Sequence, residues 1–162
     1  MKSYRLRNGA NISAMLKANA EASYKLQANL LGLITEILII YNCRISEILS
    51  ANSSNLIQDK FLILKGAKKS QDVIIRDRVI LARFSKLKTD CYGNYFYNVT
   101  YNQVYKYVKS NFGHILKSIA HKKNEKVTHA FRYNNVKGIN DEQSVKAILH
   151  HNSLKSQKYY KK

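Results

Sequence analysis

A nearly uninterrupted apolar run over residues 30–40 constrains the fold of this chain more than any other feature. A transmembrane helix needs about 20 apolar residues, whereas this run is shorter and contains Thr35 and Glu36. The surrounding pattern predicts a helix over residues 24–41 whose later half is apolar on nearly every side. Because such a helix needs other elements to cover it, we predict a central core helix in a globular domain.

Patterns on either side of this helix predict the elements that cover it. Helical patterns occupy four further segments, which are residues 11–22 (with Asn11 as the N-cap), 44–49, 78–87 and 100–120. The β-type runs Phe61–Leu64 and Val73–Ile75 flank a segment that contains Gly66, and this arrangement predicts a hairpin. Further on, Thr128 and Asp141 can cap two more helices. The predicted fold class is mainly α with a small antiparallel β-sheet (α+β).

The bulk composition narrows the class of protein. A chain of 162 residues, 45% of them hydrophobic, predicts a single domain over residues 1–162 with a core of its own. A formal net charge of +18 favours a polyanionic partner, which is either a nucleic acid or an acidic membrane face. The N-terminal residues do not have the pattern of a secretory signal, so a cytoplasmic location is expected. Cys43 and Cys91 have no metal-ligand spacing and predict reduced thiols.

Several side chains suited to phosphate chemistry occur late in the chain. His129 and Arg132 are three positions apart, so a helix places them on one face. Arginine binds phosphate oxygens as a planar fork, and a tyrosine such as Tyr160 can supply an oxygen nucleophile that stays covalently attached. From the residues alone, the terminal tyrosines could equally be ordinary aromatic residues of a basic tail. The histidines complete no zinc-binding pattern with cysteines or carboxylates.

Two upstream segments add further candidates, each with an alternative interpretation. Arg44 follows the predicted core helix and is either an exposed arginine or a partly buried anion-binding fork. Glu47 lies one helical turn later and could be an ordinary surface partner of a lysine. Lys65 stands beside Gly66 in the predicted hairpin, which is a solvated basic turn or a loop that enters a DNA groove. The residues alone leave these alternatives open.

Four short motifs combine these residues in a fixed order. They are Arg-Ile-Ser-Glu-Ile-Leu at residues 44–49, Leu-Lys-Gly-Ala-Lys at 64–68, Thr-His-Ala-Phe-Arg at 128–132 and Leu-His-His-Asn-Ser-Leu at 149–154. The set resembles the tyrosine recombinase (phage integrase) family, whose motifs are Arg-Ile-Ser-Glu-Leu-Leu, Gly-Lys-Gly-x-Lys, Thr-His-Asp-Leu-Arg and Leu-Gly-His-x-Ser-Ile. The resemblance runs from about residue 30 to the end of the chain. It implies the fold of the family's catalytic domain.

The resemblance also implies a role for each residue. Tyr160, nine positions after His151, corresponds to the nucleophile, and Tyr159 is the alternative. Lys65 corresponds to the general acid that protonates the leaving oxygen, with Glu47 bracing the first arginine. The phosphate oxygens would be contacted by four residues, namely Arg44, Arg132, His129 and His151. Phosphate contacts outside the site would come from Lys68 and Lys69 of the hairpin.

Two departures from the family pattern bear on what the chain is expected to do. His150 stands where the family usually has glycine, and the residues before the core helix are too few for the N-terminal core-binding domain of full integrases. We therefore expect a catalytic domain without that N-terminal domain. The alternative is a non-catalytic DNA-binding remnant.

The function that the resemblance implies is site-specific DNA cleavage and rejoining through a 3′-phosphotyrosyl intermediate, as in DNA recombination and integration by a mobile element. It implies double-stranded DNA as partner and a homo-tetramer on DNA, with no cofactor, no metal, no membrane and no small-molecule substrate. A prokaryotic cell or phage is the expected setting. A type IB topoisomerase, which uses the same chemistry to relax supercoils, is a second enzymatic alternative.

Overall fold

The computed structural model describes residues 9–25, 29–67, 70–119, 143–144 and 149. The elements, in chain order, are α1 Gly9–Lys25, α2 Asn29–Tyr41, α3 Ile45–Leu49, a 3₁₀ turn Ser53–Asn55, β1 Leu56–Ile57, β2 Phe61–Leu64, β3 Val73–Ile75, α4 Arg78–Ser85 and α5 Tyr101–Ile119. The predicted fold class, mainly α with a small antiparallel sheet, is confirmed.

Helix α2 forms the centre of the core, as its apolar sequence predicts. Its side chains are buried on nearly all sides, including Leu33, Ile34, Ile37, Leu38 and Ile39. Helices α1 and α5 both pack against it, and a buried polar group joins the three. Asn19 of α1 donates from Nδ2 to the Gly32 carbonyl oxygen at 2.8 Å and accepts from the Tyr107 hydroxyl at 3.1 Å. These bonds satisfy an amide that would otherwise be costly to bury.

The boundary between the first two helices differs from the sequence prediction. Helix α1 begins at Gly9, so Asn11 lies inside it and is not its cap, and Tyr24 belongs to α1 rather than to α2. The segment between the helices contains neither glycine nor proline. Without such a breaker, the helical pattern continues across the junction and does not mark where one helix ends.

The sheet has the order β1–β2–β3, and both neighbouring pairs are antiparallel. Strands β2 and β3 are those that the sequence predicts, and they pair Leu62 with Ile75 and Leu64 with Val73, all four buried in the core. Strand β1 was not predicted, because two residues are too few to show an alternating pattern. The loop between β2 and β3 is the predicted hairpin connection.

Side-chain caps define the starts of the two later helices. The Asp77 carboxylate accepts from the backbone N–H groups of Val79 and Ile80 at the start of α4. At the start of α5, Thr100 and Gln103 form a reciprocal capping box, with bonds of 2.9 and 3.2 Å. Thr100 is therefore the cap of α5, immediately before its first helical residue.

Candidate active site

Arg44 lies at the N-terminus of α3, directly after the turn that ends α2. That turn requires Asn42 to adopt a φ of 59°, a left-handed conformation that asparagine tolerates better than most residues. Arg44 itself is extended, and its side chain is 26% exposed. Its guanidinium Nη1 donates to the Ser70 hydroxyl and lies 3.9 Å from Glu47 Oε2. The fork is therefore oriented by neighbours on α3 and on the hairpin loop while part of it stays accessible.

Glu47 connects this arginine to the hairpin. Its side chain is only 2% exposed, and one carboxylate oxygen accepts from the Arg44 backbone N–H at 2.7 Å. The other oxygen accepts from the Ala67 backbone N–H at 2.9 Å. Glu47 is thus not the exposed partner of a surface lysine, and it does not lie on an open helix face. The hairpin loop covers it, and its carboxylate ties α3 to that loop.

Lys65 begins the hairpin loop and is largely exposed. Its ammonium Nζ lies 3.4 Å from Asp72 Oδ2, and the Gly66 backbone N–H donates to Asp72 Oδ1 at 2.9 Å. The Gly66 hydrogen bond lowers the pKa of Asp72 most; partial burial opposes this, and the Lys65 charge lowers it further. Asp72 is therefore a carboxylate at neutral pH, and it fixes the base of the loop.

Glycine is required at position 66 because the backbone of Ser70 and Gln71 passes too close to it for a side chain. A Cβ added at Gly66 would lie 2.1 Å from the carbonyl oxygen of Ser70, a distance that no real side chain shows. The tight loop brings Ser70 next to Arg44 and Ala67 next to Glu47. The sequence prediction that Gly66 marks a hairpin connection is thereby explained in physical terms.

The structure brings together Arg44, Glu47 and the loop that begins at Lys65. The other predicted site residues, which are Lys68, Lys69, His129, Arg132, His151, Tyr159 and Tyr160, lie outside the described residues. Among the described residues, no group of three or more histidine, cysteine, aspartate or glutamate side chains could bind a metal ion.

Sequence reasoning missed two residues of this cluster, Ser70 and Asp72. Asp72 could have been found from the strand register. Since Leu64 pairs with Val73, the next positions outward are Lys65 and Asp72, and opposite charges facing each other across an antiparallel pair attract. Ser70 gives no such signal, because its contact with Arg44 depends on how α3 packs against the loop.

A separate open groove lies at the opposite end of β2 from Lys65. Its volume is about 720 Å³, and three of its lining residues are the cations Lys60, Arg76 and Arg78. The Arg76 guanidinium lies 5.4 Å from the centre of the Phe61 ring, a cation–π contact. This groove contains none of the predicted site residues.

Comparisons with known proteins place the fold. A crystal structure of XerA recombinase matches with a TM-score of 0.55 and 17% identity over 91% of this chain and 56% of that one. XerH site-specific recombinase, solved bound to its difH substrate in a pre-cleavage complex, matches with a TM-score of 0.62 and 18% identity over 93% and 48%. No protein-family model and no curated protein matches the chain.

The chain therefore has the fold of the tyrosine recombinases XerA and XerH, in agreement with the resemblance of its motifs. It spans about half the length of each. Among the described helices, none is long and apolar enough to cross a membrane.

Proposed function

We propose that this chain cuts and rejoins DNA at specific sites through a covalent phosphotyrosyl intermediate. One observation carries the proposal, namely that Arg44 is oriented by Ser70 and by buried Glu47 beside the Lys65 hairpin. The recombinase fold and the order of the four motifs support it. Duplex DNA is the proposed partner. The XerH neighbour was solved bound to its difH substrate, in a pre-cleavage complex.

The proposed reaction needs no external energy source. The Tyr160 hydroxyl oxygen attacks a backbone phosphorus and loses its proton to solvent or base, while the bond from phosphorus to the 5′ oxygen breaks. Lys65 gives its proton to that 5′ oxygen, whose expulsion as an alkoxide would be costly. A 3′-phosphotyrosyl bond and a free 5′ hydroxyl result, and reversal against a new 5′ hydroxyl rejoins the strand.

In the proposed mechanism, the negative charge on the phosphate is stabilised by four residues, which are Arg44, Arg132, His129 and His151. The non-bridging oxygens gain negative charge in the transition state, so donors fixed in advance stabilise it more than they stabilise bound DNA. The contacts of the Arg44 guanidinium with Ser70 and Glu47, which orient it within the protein, support this role for Arg44. Exchange between two duplexes requires several protomers, so a DNA-bound tetramer is part of the proposal.

A covalent adduct tests the proposal. We would incubate the chain with nicked duplexes whose sequence is randomised around the nick, so that a cleaved strand loses a short fragment and cannot be rejoined. The expected result is a protein–DNA species that survives denaturing electrophoresis and disappears with Tyr160→Phe. Tyr159→Phe is the matched control and is expected to keep the adduct; loss with Tyr159→Phe alone would move the nucleophile to Tyr159.

Two other outcomes would replace the proposal. Relaxation of supercoiled plasmid without exchange between duplexes would indicate a topoisomerase. DNA binding without any adduct or relaxed product would indicate a DNA-binding protein that does not cut.

A further inference from the structure

The exposed face of helix α5 carries a regular stripe of tyrosine and lysine. Tyr101, Tyr105 and Lys109 follow one another at intervals of four residues, so they lie on one face of the helix. The Tyr101 and Tyr105 rings are stacked, with centres 6.4 Å apart and planes 16° from parallel. The Lys109 ammonium lies 5.9 Å from the centre of the Tyr105 ring. We call these three residues the α5 stripe.

The stripe is distinct from the core-facing side of the same helix. Val104, Val108 and Phe112 are buried, whereas Tyr101 is 41% exposed and Lys109 is exposed. Tyr105 is half-buried and packs against the core, which fixes the ring on which Tyr101 stacks. An exposed aromatic ring that is oriented by a second ring offers a flat apolar surface to solvent.

The charge of α5 indicates what kind of partner fits this surface. The helix sequence contains Lys106, Lys109 and Lys117 and no aspartate or glutamate. Together with the net charge of +18, this favours an anionic partner. Flat rings beside cations are the combination that proteins use to bind single-stranded nucleic acid, with bases stacked on the rings and phosphates near the lysines.

A membrane surface is less well matched. Helices that lie in a bilayer interface insert leucine, phenylalanine or tryptophan from their apolar face, and the apolar face of α5 is used in the core. The exposed neighbours of the stripe are polar, namely Asn102, Gln103, Lys106 and Ser110. Duplex DNA could contact the lysines, but its paired bases offer no open face for stacking.

We propose that the α5 stripe binds unpaired nucleotides of a DNA strand, with a base stacked on Tyr101 and a phosphate near Lys109. This activity does not require cleavage. The α5 stripe would bind a DNA strand that is separated from its complementary strand.

Fluorescence anisotropy with labelled oligothymidine tests the proposal on the full chain. Tyr101→Leu keeps an apolar side chain, although a shorter one, and removes the ring; the lost stacking contact is expected to weaken binding roughly tenfold. Tyr92→Leu is the matched control, because Tyr92 is a tyrosine that is 80% exposed and lies outside α5; it is expected to change affinity less than about twofold. Thermal melting of both variants checks that they fold.

Lys109→Gln tests the second half of the stripe. One lost phosphate contact should lower the slope of log affinity against log salt by about 0.7 for a single strand. Three results would overturn the proposal. In the first, Tyr101→Leu lowers the affinity for a matched duplex as much as the affinity for oligothymidine. In the second, Tyr101→Leu lowers the affinity for neither DNA. In the third, Tyr101→Leu lowers only the affinity for vesicles of anionic phospholipid. Adduct formation is not measured here, so failure of this proposal leaves the proposed cleavage activity untouched.

Discussion

Gly66 is the residue whose replacement the structure constrains most sharply. Gly66→Ala would place a methyl group against the Ser70 carbonyl, so the loop must open and its contacts with Arg44 and Glu47 must loosen. We expect a loss of about 1–3 kcal/mol in the free energy of unfolding, measured by urea denaturation.

Gly113 supplies the matched control for that substitution. It lies in α5, and a Cβ added there meets nothing within 4 Å. Gly113→Ala should therefore stabilise the protein by about 0.5–1 kcal/mol, since alanine is the better helix former. Equal effects of the two substitutions would contradict the role given to the close approach at Gly66.

Asp72 predicts how the hairpin responds to acid. The pKa of the Asp72 carboxyl group lies below its ordinary value of 3.8. Its contribution to the stability of the folded protein is therefore fully present above pH 3.8 and is lost as the pH falls through the lower pKa of the folded state. The Gly66 amide resonance, followed by NMR, should titrate with a midpoint below 3.8. Asp72→Asn should abolish that titration; a midpoint above 3.8 would contradict the bonding described.

At the scale of elements, Glu47 links α3 to the loop between β2 and β3. Glu47→Ala removes the carboxylate that accepts from the backbone N–H groups of Arg44 and Ala67. We expect a loss of about 2–4 kcal/mol in the free energy of unfolding, with a smaller loss for Glu47→Gln, which keeps one acceptor oxygen.

Glu36 is the comparison for Glu47. It pairs with Arg83 where both side chains are partly exposed, and such pairs contribute little. Glu36→Gln should therefore cost less than about 1 kcal/mol. Equal stabilities of the Glu36→Gln and Glu47→Gln variants would contradict the claim that the buried Glu47 carboxylate stabilises the hairpin loop against α3.

The two central residues of the turn between β1 and β2 have positive φ, although neither is glycine. Gln58 and Asp59 have φ of 51° and 56°, and the Lys60 N–H donates to the Ile57 carbonyl at 2.9 Å. This is the geometry of a type I′ turn, which strongly prefers Asn-Gly.

Replacing both turn residues tests that assignment. The double substitution Gln58→Asn and Asp59→Gly should raise the free energy of unfolding by about 1 kcal/mol. Gln58→Val, which puts a β-branched residue at positive φ, should lower it. The opposite order of stabilities in thermal melting would contradict the turn type.

For the molecule as a whole, local sequence patterns predicted the helices and strands, whereas the contacts within the candidate active site depend on tertiary packing. The apolar run of α2 and the strands β2 and β3 were predictable, because burial imposes a pattern on the sequence. The burial of Glu47 was not, since a carboxylate one turn from Arg44 has the pattern of an exposed helix face. Only the packing of the hairpin loop over α3 shows that it is covered.

The motifs predict that Arg44 and Lys65 belong to one site. In the described structure, the Arg44 guanidinium donates to Ser70, which lies in the loop that begins at Lys65. Nothing in the spacing of residues 44 and 70 indicates that they meet. Such long-range contacts depend on the whole fold, which resembles that of the Xer recombinases at 17% and 18% identity.

The most direct test of the central claim compares cleavage and binding in Arg44→Ala. One phosphate contact among many contributes little to affinity, whereas a donor aimed at the reacting phosphate acts mainly in the transition state. Arg83→Ala, at the surface pair with Glu36, is the control and should keep both properties. We predict that Arg44→Ala loses the covalent adduct while its duplex DNA affinity stays within about threefold; equal loss of both, or an undiminished adduct, would contradict the account.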